Sequence, residues 1–139
     1  MPRRRWQTVE GRLLGLVLLA GSLLSCATHV TFVNLRDGGN LTGRHQVWRQ
    51  SLAVVVASGE TLEGRYEALT QQAIGPGSLF FGANLSALLG AYRSERTQGY
   101  ARLVGDRGTV MEIVFALEWT GRGYGVARSS DGREYAVSF

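Results

Sequence analysis

Lysine is absent from this sequence: all 15 basic residues are arginine, beside one cysteine, two prolines and two histidines. A single cysteine excludes an intrachain disulfide and any cluster of thiolates, so neither a disulfide scaffold nor a cysteine-rich zinc fold is available. Two histidines, one of them (His29) close behind the N-terminal segment, leave only His45 for chemistry in the main body of the chain. No Gly-x-Ser-x-Gly elbow offers a serine nucleophile for it to activate. The glycine-rich stretch 121–125, GRGYG, is followed by a strand pattern, whereas a phosphate cradle needs a helix to follow. Asp106 and Asp131 sit in glycine-containing turns and read as caps of backbone amides. The sequence therefore assigns no catalytic residue, no metal site and no cofactor, and it predicts a protein that is not an enzyme.

A spanning run of roughly 20 apolar residues is also missing. The N-terminus has something shorter: MPRRRWQTVEGR, with four arginines against one glutamate, then the uncharged stretch Leu13 to Leu24. A basic start and a short apolar run are the layout of a secretory signal. At its end, Leu23, Leu24, Ser25 and Cys26 resemble the lipobox of bacterial lipoproteins. That resemblance implies lipidation of the Cys26 sulfur, cleavage between Ser25 and Cys26, and acylation of the new amino group by a palmitate-type chain. Two or three chains hold a protein stably at a membrane where one does so only marginally, at about 0.8 kcal/mol per buried methylene. Ala27, where an aspartate would favour inner-membrane retention, resembles the outer-membrane-sorted class. The resemblance thus implies residues 1–25 as signal peptide and 26–139 as one lipid-anchored domain at the outer membrane, facing the periplasm. Its partner would be membrane lipid, through acylated Cys26.

The formal charge of +4 belongs largely to that signal. Beyond it, eleven arginines face ten acids, which removes the reason to expect nucleic acid as a partner. The remaining 114 residues suffice for one modest core.

That core reads as β structure. In TVMEIVFALEW, Thr109, Met111, Ile113, Phe115, Leu117 and Trp119 recur with period two, and Tyr135, Val137 and Phe139 do so in REYAVSF. Short turns at 105–108, 120–123 and 130–132 join four strands into a meander, with Met111, Ile113, Phe115, Leu117 and Tyr135 in the core. SLAVVVASGETLEGRYEAL reads as an earlier hairpin, and HVTFVNL adds a strand ending in the turn residues Asp37-Gly38-Gly39-Asn40. The expected fold is all-β: a small antiparallel meander forming a barrel or sandwich of about six or seven strands, after an N-terminal signal helix.

Residues 70–98 break the pattern, being too long for a plain hairpin loop. Phe81, Leu85, Leu88, Leu89 and Tyr92 follow helical spacing, so a short helix is expected near 84–93. It would plug one end of the β core or, with Leu79 and Phe80, form an apolar interaction segment. Such a patch is rarely left open on a monomer.

Two further resemblances concern the C-terminal half. The ending EYAVSF resembles that of outer-membrane β-barrels, yet the smallest of these need eight strands of about 9–11 residues, so it reads as an ordinary core strand. GDRGTVMEIVF with GRGYGVARSSDGREYAVSF resembles the C-terminal part of small, functionally unassigned bacterial lipoproteins, which brings no activity with it. The function expected is a lipid-anchored binding or accessory module, which could engage an envelope protein; the alternative is a structural envelope lipoprotein without a discrete ligand.

Overall fold

The structure, a computed structural model, describes residues 27–69, 75, 77–80 and 97–139. The expected signal helix, Ser25, Cys26 and the helix near 84–93 lie outside the described residues. Eight antiparallel strands follow one another around a closed barrel: β1 (Ala27–Asn34), β2 (Asn40–Gln46), β3 (Ser51–Val55), β4 (Thr61–Ala68), β5 (Thr97–Gly105), β6 (Val110–Leu117), β7 (Gly123–Ser129) and β8 (Glu134–Ser138). Each strand pairs with its successor, and β8 returns to β1, with Phe32 opposite Val137 and Asn34 opposite Tyr135. The all-β barrel agrees with the sequence pattern. The count does not: eight strands stand where six or seven were expected.

The additional strand is β2, NLTGRHQ. Its inward positions are Leu41, Gly43 and His45, one of them without a side chain and one polar, so no apolar alternation announces it. Trp119 is the second correction. β6 ends at Leu117, and Trp119 lies in the turn beyond it, 97% exposed instead of on the core face. The core residues expected from the alternation, Met111, Ile113, Phe115, Leu117 and Tyr135, are all buried.

With eight strands present, strand number no longer separates this fold from a small membrane-spanning barrel. The polarity of its faces does. A spanning barrel is apolar outside and polar within. Here Phe32, Leu52, Leu62, Leu103, Met111 and Ile113 fill the interior, and Arg44, Glu63, Arg65, Arg102 and Glu134 stand outside. The strands are also short, five to nine residues. The interior is packed, as an eight-stranded barrel permits.

The lower end holds an aromatic cluster. His45 meets Tyr66 and Phe139 at ring separations of 5.3 Å each, and Phe115 lies 5.4 Å from Tyr66 and 4.9 Å from Phe139. Room for the Phe115 ring comes from Gly99 on the neighbouring strand, where a Cβ would lie 2.4 Å from its Cζ. The glycine–tyrosine pairs of GRYEAL, GYARLV and GYGVAR are not a structural repeat: Tyr66 points inward, whereas Tyr100 and Tyr124 point outward.

Turns 35–39, 56–60, 106–109 and 130–133 lie at the upper end. At the lower end are the entry to β1 at Ala27, the 3-10 turn Val47–Arg49, the turn 118–122 and Phe139.

Candidate functional site

Three kinds of setting bring polar or ionisable groups together among the described residues. The first is inside the barrel. His45 is fully buried, its Nδ1 3.3 Å from the Thr28 hydroxyl and its Nε2 3.0 Å from the Tyr66 hydroxyl. Thr28 directs its own proton to the His45 carbonyl at 3.4 Å. This suits a neutral ring that donates from Nδ1 and accepts the Tyr66 proton at Nε2. Burial disfavours the imidazolium and lowers the His45 pKa from its ordinary 6.5, and it raises that of Tyr66. Every ring nitrogen is engaged, which is the chemistry of a satisfied core histidine.

The second involves two carboxylates that hold connections in place. Glu60, in the β3–β4 turn, reaches across to the β5–β6 turn. There it accepts from the Thr109 hydroxyl at 2.6 Å and from the amides of Arg107 and Thr109 at 2.9 and 3.2 Å. These bonds, the Thr109 hydroxyl foremost, outweigh desolvation and hold its carboxyl below the usual range. Gly105 leaves the necessary space, since a Cβ there would sit 2.0 Å from Glu60 Oε1. Glu60 rather than Asp106 thus caps this turn, whereas Asp131 does cap its own, accepting from the Arg133 amide at 3.1 Å.

Glu112 is the other carboxylate, fully buried although it faces outward from β6. Residues 77–80 cover it. The Ser78 hydroxyl donates to its Oε2 at 2.6 Å and the Leu79 amide at 2.7 Å, and Arg102 stands 3.9 Å from Oε1. Arg128 on β7 donates to the Leu79 carbonyl at 3.0 Å while it also pairs with Glu134. Phe80, 8% exposed, then packs on Tyr100, Val114 and Ala116. Burial, with the neighbouring Glu112 carboxylate, raises the pKa of the Tyr100 hydroxyl well above its ordinary value.

Of the segment expected to interact, Leu79 and Phe80 therefore lie against the outer wall of β5, β6 and β7, not in an end of the barrel. Phe81, Leu85, Leu88, Leu89 and Tyr92 lie outside the described residues. The signal for this outer contact was in β6 itself, whose second face carries Val114 and Ala116 and so has apolar surface to bury on both sides.

The third place is open to solvent. On the outer face of β2, β3 and β4 the middle strand presents the short side chains of Ser51 and Ala53. The register sets Arg44 opposite Ala53 and Glu63 on its other side, with Gln46 and Arg65 flanking Ser51 in the same way. Tall rows around a low middle make a trough of about 820 Å³, closed at its lower end by Trp48 and Arg49. Three arginines against one glutamate line it, and Trp48 is 90% exposed. Sequence reading missed this site because Arg44, Trp48 and Arg65 belong to no motif; the pairing of three strands assembles them.

The fold is that of an up-and-down β-barrel with a filled apolar interior, carrying its open polar trough on the outside wall. Comparison with protein-family models, with curated proteins and with solved structures finds no match.

Proposed function

We propose that this chain is a lipid-anchored envelope protein, held at the outer membrane through Cys26, that acts as a non-catalytic binding module. The β2–β4 trough is its ligand face, and that trough is the observation that carries the reading. Arginine guanidinium groups present paired donors to carboxylate or phosphate oxygens. They suit a small anionic ligand. The absence of a catalytic role is supported by the way the buried ionisable groups are used: His45 and Glu60 bond through both polar side-chain atoms, and Glu112 through Oε2, in contacts that hold the fold together.

A thermal-shift panel of small carboxylates, phosphates and sulfates, each with its neutral counterpart, tests the binding site. At least one anion should stabilise the protein, and Arg44→Ala with Arg65→Ala should weaken that binding about tenfold or more, about 1.4 kcal/mol. No shift from any anion, or an equal shift from the neutral counterparts, would remove the trough from consideration. For the anchor, Cys26→Ala should accumulate as unprocessed precursor; normal processing of that variant would remove the lipoprotein assignment.

A further inference from the structure

The two most exposed large hydrophobic side chains among the described residues are Trp48 and Trp119, at 90% and 97%. They come from connections far apart in the chain, the 3-10 turn after β2 and the turn between β6 and β7, and both connections lie at the lower end of the barrel. The two turns approach each other: a Cβ on Gly121 would touch Val47 Cγ2 at 4.0 Å, and Val47 itself is 44% exposed. Two indoles and a valine projecting from one end are an unusual outlay of apolar surface in a molecule with a complete core.

The same end receives the rest of the chain. Ala27 is the first residue of β1 and pairs with Gln46, the residue before Val47. The 26 preceding residues, with the apolar stretch Leu13 to Leu24 and Cys26, therefore join the barrel beside Trp48. One residue spans at most about 3.6 Å of extended chain, so a lipid on Cys26 lies at the barrel's lower rim. The geometry is the same whether residues 13–24 are removed after lipidation or remain as an anchor.

We infer that the lower end of the barrel, through Trp48, Trp119 and Val47, is seated in the headgroup layer of the phospholipid membrane to which the N-terminus is attached. Indole rings are favoured at this depth because their apolar body and single N–H donor suit a zone that is half wet. Among the described residues, Arg49 and Arg122 at this end are offset by Glu67 and Glu118, so the contact is carried by the aromatic side chains and does not require anionic lipid.

The test uses the full chain processed in cells, reconstituted into phosphatidylcholine vesicles with and without dibrominated phosphatidylcholine. Variants retaining one barrel tryptophan, Trp48→Phe or Trp119→Phe, are read by fluorescence. Each remaining indole should be quenched by the brominated lipid and shielded from aqueous iodide, and both effects should persist in molar salt. Quenching by iodide without quenching by bromine, for either indole, would overturn the inference. Shielding from iodide without bromine quenching would also overturn it, since the end would then be covered by protein, such as a second copy of the chain. The Cys26→Ala precursor, with Trp6→Phe in the retained leader so that only the barrel indoles report, separates this inference from the lipoprotein assignment: with an uncleaved anchor its indoles should still be quenched.

Discussion

His45 shows how a residue with obvious chemistry is turned to structure. Enclosed by Tyr66 and Phe139 and bonded to two hydroxyls, it is neutral in the folded chain, with its pKa below the ordinary 6.5. The unfolded chain then binds the proton more readily, so stability is complete above about pH 6.5 and declines as pH falls toward the folded-state value. Glu60, whose carboxyl is also held low, adds a second loss at more acid pH, below its ordinary 4.5. Denaturant midpoints measured from pH 7.5 downward should therefore fall in two stages. His45→Phe should remove the first stage and leave the second, and an unchanged first stage would show that another group titrates there.

At the scale of the element, the strap of residues 77–80 is the feature that most departs from a plain meander. Its hold on the barrel is concentrated in one carboxylate and one guanidinium, Glu112 and Arg128, on adjacent strands in register with each other. Hydrogen bonds to a charged acceptor contribute about 1.5–3 kcal/mol each. Glu112→Gln keeps the size of the side chain but weakens the bonds from Ser78 and Leu79, and it should loosen the strap without opening the barrel. Hydrogen exchange checks this: protection of the Leu79 and Phe80 amides should drop by at least tenfold while that of Ile113 and Phe115 holds. Equal loss at all four would mean that the strap and barrel unfold as one unit.

At the scale of the whole molecule, β8 closes on β1 from Thr31 to Asn34, and among the described residues one core fills the barrel. Its lower half depends on Phe115, which touches Tyr66 and Phe139 and lies over Gly99. Phe115→Ala should cost about 3–5 kcal/mol, against a total stability of about 5–15 kcal/mol for a domain. Loss of the cooperative thermal transition, or its fall by well over ten degrees, is the expected result; a change of only a few degrees would show that neighbouring rings collapse into the space. The trough and the tryptophan end both lie on surfaces this core supports, so binding assays on Phe115 variants would report folding rather than recognition.

The β class, the meander of the C-terminal half and the inward set from Met111 to Leu117 were legible in the sequence, because alternation with period two is written residue by residue and needs no distant partner. The lipobox resemblance is local in the same sense, four consecutive residues ending at Cys26. What tertiary structure decided is everything that depends on residues meeting from separate strands. β2 is a strand because β1 and β3 offer it hydrogen bonds on both sides, not because its own Leu41, Gly43 and His45 make a pattern. Glu112 stands on the second face of β6, and its donors come from residues 77–80, more than thirty positions away. The trough needs three strands in register, and the tryptophan pair needs the curled sheet to bring two connections, already at one end, next to each other. Local spacing in the chain determines which way a side chain points; only closure of the barrel determines what it meets there.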